Sequence, residues 1–185
     1  QPELLDILVR QVLPHHRALM TLEGGVVGAD VVRQIRRRAA AAEDLDRRLR
    51  ANPTHPLLGS GSLHASVIEG GQEFSSYPER CLLKGERRTI PGETEAVVEG
   101  ELRELLGDVD GEIRVVVARE PFETPADAPI AELVSRHAGG PDVVGVPFWA
   151  DSALLSAAGI PTVVFGPAGE GAHAVEEWVD LASAE

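Results

Sequence analysis

The apolar residues at the start of the chain recur at helical spacing. A helix over residues 3–13 would carry them on one side, and Pro14 would end it. The residues on that side are Leu4, Leu5, Leu8, Val12 and Leu13. Residues 14–28 show no such period and contain adjacent glycines, so we expect irregular structure there. A longer helix is predicted over residues 29–50, because its apolar positions form a stripe opposite the charged ones.

The middle of the chain predicts two strands, a helix and a third strand, in that order. The strands cover 63–68, 80–89 and 113–118, and the helix covers 93–106. Placed behind the long helix, this order is most of a ferredoxin-like α+β sandwich.

The last third alternates helices with short apolar strands. The predicted helices cover 128–137, 152–158 and 175–182, and the predicted strands cover 143–146 and 162–165. This alternation favours parallel pairing and an α/β layer. We therefore place a domain boundary in the proline-rich stretch 121–129.

Charge and cysteine content narrow the function classes. The 185 residues hold 17 Lys and Arg against 30 Asp and Glu, a net charge of −13, which argues against nucleic-acid and anionic-membrane partners. Cys81 is the only cysteine, which excludes an internal disulfide and a thiolate zinc cage. Neither a membrane-spanning apolar stretch nor a secretion signal is recognisable, so we expect a soluble, cytoplasmic protein.

The segment 159–173 is the most informative for chemistry. A buried strand is followed by a glycine-rich loop, by His173 and by a predicted helix. Ligands of parallel α/β sheets bind beyond the carboxyl ends of the strands, so His173 would lie at the usual site position. Gly169 is a substrate-binding candidate, because a glycine lets backbone N–H groups approach an anionic group. The alternative is a helix-entry loop with a capping histidine.

Other motifs in the chain fail as active-site signatures. The 159–173 loop matches neither a Walker A pattern nor the dinucleotide fingerprint. Residues 59–62 lie where a loop leads into a strand, whereas a nucleophile elbow is a turn that leads from a strand into a helix. His15, His16 and His64 are more typical of surface or packed histidines than of metal ligands.

Two distant segments, residues 65–93 and 148–181, resemble one family. They are similar in motif, order and spacing to the acetylornithine deacetylase, succinyl-diaminopimelate desuccinylase and carboxypeptidase G family. The resemblance implies a hydrolase with two zinc or cobalt ions that cleaves the amide bond of N-acyl amino acids or small peptides. It also implies a catalytic domain interrupted by a ferredoxin-like lid.

The resemblance divides the chain into three segments. Residues 1–28 would be an N-terminal helix and a remnant of the catalytic domain, 29–120 the lid, and 121–185 the C-terminal βαβ portion of the catalytic domain. Lids of this family pair with one another, so a homodimer is expected through strand 63–68 or helix 93–106.

The resemblance also implies roles for individual residues. His173 matches a metal ligand, and Asp151 matches an acidic position that shapes the site. Arg88 matches the lid arginine that binds a substrate carboxylate. Ser75 stands where many members have an asparagine that contacts substrate.

The family's glutamate pair is only half present. Glu23 resembles one member of the pair that supplies the general base and a metal ligand, but Leu22 replaces the other. A His-x-Asp motif is missing from the 185 residues, as is the lid's Gly-x-x-x-His strand. We therefore expect the chain as given to bind metal weakly and to be inactive. Three hypotheses stay open: a shortened hydrolase, a non-catalytic lid-type dimerisation module, and an unrelated acidic α/β binding domain.

Overall fold

The structure is a computed structural model. It describes residues 7–12, 15–23, 29–109, 111–140, 142–171 and 174–184. Within 7–12 and 15–23, and at Ala29 and Asp142, it describes the backbone alone.

Helices and strands alternate along most of the described chain. In chain order they are β1 (Ile7–Val12), β2 (His15–Glu23), α1 (Ala29–Ala51), β3 (Ser62–Gly70), β4 (Arg80–Arg88), α2 (Glu95–Leu106), β5 (Glu112–Val117), β6 (Phe122–Glu123), α3 (Pro129–His137), β7 (Asp142–Val146), α4 (Ser152–Ala157), β8 (Val164–Gly166), β9 (Gly169–Glu170) and β10 (Trp178–Val179). A short 3₁₀ turn follows at Leu181–Ser183. Of the helices in these ranges, none combines the length and apolarity that crossing a membrane requires.

The chain forms two compact units. The sandwich unit is Pro14–Glu120, and the terminal unit joins Gln1–Leu13 to Pro121–Glu185. The described strands form one four-stranded sheet in the sandwich unit, and a four-stranded and a two-stranded sheet in the terminal unit.

The sandwich unit has a ferredoxin-like βαββαβ order. Its described strands lie in the order β3-β4-β2-β5, and every neighbouring pair is antiparallel. The β2–β4 pairing is continuous from His15 opposite Arg88 to Glu23 opposite Arg80. The ferredoxin-like part of the predicted fold is therefore confirmed.

The core of the sandwich unit lies between the sheet and its two helices. Alternation along β4 buries Cys81, Leu83 and Arg87, whereas the residues between them are only partly buried. The buried apolar cluster comprises Ala42, Leu45, Leu63, Leu83, Val98, Leu102 and Leu105. Because α1 and α2 both contribute to it, burial of their apolar stripes fixes them on this face of the sheet.

The terminal unit is built around β1. This strand pairs in parallel with β7 and antiparallel with both β6 and β8. Phe122 is fully buried and packs with Ala153 of α4. The parallel β1–β7 pair and the helices beside it agree with the predicted α/β portion, whereas β8 runs antiparallel to β1 and departs from the predicted parallel pairing.

Three secondary-structure predictions are wrong. Residues 7–12 form strand β1 in place of the predicted helix 3–13, and residues 15–23 form strand β2 in place of irregular structure. Short apolar runs are compatible with both the helical and the strand period. Here the pairing of β1 with β7 and of β2 with β4 favours strands. The predicted closing helix 175–182 is replaced by β10 and the 3₁₀ turn. Val175 is fully exposed there and Leu181 is largely exposed, so a helix would gain little from packing.

Candidate functional site

Arg88 is the last residue of β4 and lies on the sheet face away from the helices. Its neighbour Arg87 points to the helix side, because successive strand residues alternate between faces. The Nε of Arg88 donates to Oε1 of Glu86 at 2.9 Å, and the two side chains are 29% and 18% exposed. Arg88 therefore forms an ion pair with Glu86, and a substrate carboxylate would have to compete with Glu86 for the guanidinium. At 29% exposure, part of the Arg88 side chain nevertheless remains in contact with solvent.

Arg87 forms a buried ion-pair network that sequence reasoning missed. Its side chain is 1% exposed, and its Nε donates to Glu101 at 2.8 Å. Its Nη2 donates to Glu101 at 3.1 Å and to Glu93 at 2.8 Å. Its Nη1 donates to Glu93 at 3.1 Å and to the backbone carbonyl of Arg88. The five N–H donors of the guanidinium thus match five contacts.

The carboxylates stabilise the charged form of Arg87. Burial alone would lower the pKa of the guanidinium, but its hydrogen bonds to Glu101 and Glu93 outweigh burial and raise the pKa overall. A signal for this network was available in the sequence. Two adjacent arginines in a strand cannot both face solvent if one sheet face is covered, and a buried arginine needs acidic partners.

The network also organises the turn after β4. Oε2 of Glu93 accepts a hydrogen bond from the backbone N–H of Ile90 at 2.9 Å, and the Glu93 N–H donates to the Ile90 carbonyl at 3.0 Å. A Cβ added at Gly61 would overlap the Arg87 guanidinium and lie 2.6 Å from the Arg88 carbonyl oxygen. Gly61 therefore leaves the space that the network fills.

Ser75 lies in the exposed connection between β3 and β4. Its hydroxyl donates to Glu73 at 2.9 and 2.6 Å, and its backbone N–H donates to the same carboxylate at 3.1 Å. The hydrogen bonds from Ser75 and Ser76 hold the pKa of Glu73 below its usual value. Because β4 spans ~27 Å at ~3.4 Å per residue, Ser75 and Arg88 are at opposite ends of it. The substrate-binding role of Ser75 stays a prediction.

Gly169 is explained by backbone packing. It lies in β9 opposite Val179, and an added Cβ would overlap the Trp178 carbonyl oxygen and lie 3.0 Å from the Val179 Cα. The close approach of β10 therefore requires glycine whether or not a substrate binds. Its substrate-binding role stays a prediction.

The remaining candidate residues are described incompletely. His173 lies outside the described residues, and only the backbone of Leu22 and Glu23 is described, opposite Cys81 and Arg80. Asp151 is exposed and is the N-cap residue that precedes α4, where its carbonyl accepts from the Leu154 N–H at 2.9 Å. The predicted roles of these residues therefore stay predictions.

The described side chains do not form a metal centre. Within the ranges that have side chains, no three His, Cys, Asp or Glu residues are grouped closely enough to hold an ion. The described donor set therefore does not fit a two-metal site, and we derive no catalytic step through a metal.

Comparison with known proteins identifies the family. The model of the family described as "Peptidase family M20/M25/M40" matches residues 12–185. The chain belongs to this family. The family resemblance predicted from the two sequence segments is thereby confirmed, although the match does not single out acetylornithine deacetylases. Among curated proteins, no sequence matches this one.

Solved structures of several peptidases share the fold. A tripeptidase from Staphylococcus aureus is 16% identical with a TM-score of 0.68, over 96% of this chain and 49% of that one. Aminopeptidase PepT from Bacillus cereus is 18% identical with a TM-score of 0.67, over 99% and 51%. An M20 family metallo-carboxypeptidase from Sulfolobus solfataricus is 13% identical with a TM-score of 0.61, over 86% and 59%. The chain thus spans about half the length of these relatives.

Proposed function

We propose that this protein takes part in hydrolysis of the amide bond of small peptides or N-acyl amino acids. The observation that carries the proposal is the family match over residues 12–185. The similar solved structures include a tripeptidase, an aminopeptidase and a carboxypeptidase, all of which act on peptide bonds. Acetylornithine-type deacylation is one specific form of this activity.

Within this function, we assign to Arg88 the binding of a substrate carboxylate. A guanidinium offers two parallel N–H donors that match the two oxygens of a carboxylate. Arg88 ends β4 on the face away from the helices, and its side chain is partly exposed. Glu86 holds the Nε side of the group at 2.9 Å, which orients the fork and makes a ligand compete with an internal carboxylate.

His173 and Glu23 are the two residues that we propose as ligands for zinc or cobalt. A catalytic zinc commonly takes three protein ligands, and Leu22 stands where a general-base glutamate is expected. Loss of a general base costs roughly 10²–10⁴-fold in rate. We therefore expect the purified 185-residue chain to bind these metals weakly and to show no appreciable turnover.

A hydrolysis assay tests both statements. N-acetylornithine, other N-acetyl amino acids, dipeptides and tripeptides are incubated with zinc or cobalt and either the 185-residue chain or the protein as its gene encodes it. Turnover by the encoded protein that falls in Arg88→Lys supports the proposal, and absence of turnover on every substrate contradicts it. Submicromolar metal binding with turnover by the 185-residue chain would place the ligands elsewhere.

A lid-type dimerisation module is the second candidate function. Strand β3 lies at an edge of the described sheet, and Val67 and Ile68 are 38% and 52% exposed. An exposed apolar edge strand is a template for pairing with a second copy. We expect a homodimer in light scattering at tens of micromolar, weakened by Ile68→Lys, whereas a strict monomer would contradict this expectation.

A further inference from the structure

The buried Arg87 network joins helix α2 to the end of the strand that carries Arg88. Glu101 belongs to α2, Glu93 precedes that helix, and Arg87 lies between them at 1% exposure. From the same guanidinium, Nη1 donates to the Arg88 carbonyl. The group that holds the helix therefore also holds the peptide plane that follows the Arg88 Cα.

A network that served only to dock α2 would need the Glu101 contacts alone. The contacts with Glu93 do something else, because that carboxylate also accepts the Ile90 N–H at 2.9 Å. Together they fix both ends of the short segment from Arg88 to Glu93. This segment determines where β4 ends and hence the direction in which the Arg88 side chain leaves the sheet.

We propose that Arg87 is a positioning residue that orients Arg88 for carboxylate binding. The inference rests on the proposed role of Arg88. Arg87 faces the helix side of the sheet and its side chain is 1% exposed, so it acts through the backbone of its neighbour. A lysine at this position keeps the buried charge, but its single nitrogen cannot reach both glutamates and the Arg88 carbonyl.

The test uses the side chain of Arg88 as its own reporter. The Nε–H resonance of Arg88, assigned by its loss in Arg88→Lys, is followed by NMR while the 185-residue chain is titrated with N-acetylglycine. N-acetylglycinamide, which lacks the carboxylate, is the reference ligand. In the wild type we expect a saturable shift with the acid and none with the amide.

Arg87→Lys and Glu93→Gln are then compared with the wild type. We expect the apparent Kd for N-acetylglycine to rise about 3- to 10-fold in both, since small misplacements of a binding group are costly. Glu93→Gln keeps an oxygen for the Ile90 N–H, so it serves as the milder variant if Arg87→Lys does not fold. Arg103→Lys, which alters an exposed ion pair with Glu99 on α2, is the matched control and should leave the Kd unchanged.

The outcomes separate the inference from the function on which it rests. A folded Arg87→Lys or Glu93→Gln with a lower melting temperature and a wild-type Kd would show that the network is only structural and would overturn the inference. A wild-type chain without any carboxylate-dependent shift would overturn the role of Arg88 itself. Arg87 would then have nothing to position.

Discussion

The sandwich unit and the terminal unit differ in how they bury apolar surface. In the sandwich unit seven apolar residues from both helices and two strands form one buried cluster. In the terminal unit the described buried cluster consists of Phe122 and Ala153, while Leu154 and Phe165 are 53% and 44% exposed. Burying a large apolar side chain stabilises by about 1.5–3 kcal/mol, so the described contacts concentrate stability in the sandwich unit.

The two units also differ in the length of their strands. Strands β3 and β4 are nine residues long and pair over most of that length, whereas β6 and β8 cover two and three residues. Long paired strands with a covered face specify their own register, because a slip of one residue would turn the apolar side chains outward. Among the described side chains of the terminal unit, Phe122 is the largest that is fully buried.

The largest expected effect is therefore that of Phe122→Ala. Removing a fully buried phenylalanine costs about 3–5 kcal/mol, and few other described residues in this unit would compensate. We expect hydrogen exchange to accelerate throughout β6, β7 and α4 while β3 and β4 keep their protection. Leu133→Ala, at a half-exposed position of α3, is the control and should change little. Equal acceleration in both units would show that they unfold as one.

Leu102→Ala makes the reciprocal change in the sandwich unit. Leu102 is 6% exposed within the large cluster, and we expect a loss of about 2–5 kcal/mol in the free energy of unfolding of this unit. Val97→Ala on the same helix, where the side chain is 46% exposed, should cost much less. Urea unfolding, monitored by hydrogen exchange, measures the loss of free energy of unfolding in each variant. Equal losses in Leu102→Ala and Val97→Ala would contradict the assignment of the core.

A smaller effect is expected at Gly169, in the glycine-rich loop of the terminal unit. A substitution there tests whether the glycine is required for backbone packing or for ligand binding. Gly169→Ala would force the β10 backbone away from β9, for which we expect a loss of about 1–3 kcal/mol. Gly166→Ala is the matched control, since among the described atoms none outside its immediate neighbours lies within 4 Å of its added Cβ. Thermal unfolding of both variants is the measurement. A neutral Gly169→Ala would remove the packing explanation and favour a substrate role for that glycine.

The order of elements in the sandwich unit could be read from the sequence except for its first strand. The apolar residues between positions 29 and 117 recur with clear helical or strand periods. The two predicted helices and three predicted strands there lie close to α1, β3, β4, α2 and β5. Strand β2 was missed because HHRALMTLE has no regular alternation of apolar and polar residues. It is placed between β4 and β5 by pairing on both edges, which is information from distant residues.

The candidate site shows the same limit. Alternation along β4 places Arg88 and Arg87 on opposite faces, so a signal for a buried arginine was present in the sequence although it was missed. The requirement for glycine at position 169 depends on the backbone of Trp178, which no local pattern reveals. The separation of Ser75 from Arg88 follows from their positions before and at the end of one strand. Residues of one motif can therefore be close in sequence and still belong to different ends of the fold.

The smallest expected effect concerns pH and the sandwich unit. Partial burial alone would raise the pKa of Asp46, but hydrogen bonds from Arg50 and from the Leu63 N–H, with the positive charge of Arg50, lower it overall. A folded-state pKa below the unfolded value contributes stability above about pH 4, and this contribution is lost as the pH falls through the folded value. Asp46→Asn keeps an oxygen for the Leu63 N–H but loses the ion pair, so we expect it to cost about 0.3–1 kcal/mol at pH 7.

The pH dependence of that difference is the decisive measurement. Urea unfolding of the wild type and Asp46→Asn should differ at pH 7, and the difference should shrink as the pH falls below about 4 and through the folded-state pKa, because the protonated wild-type carboxyl resembles the amide. Glu99→Gln removes an exposed ion pair with Arg103 on α2 and is the comparison for a contact without a backbone partner. A difference that stays constant from pH 7 to pH 3 would mean that Asp46 acts through its shape and backbone contact, and that its charge contributes nothing to the sandwich unit.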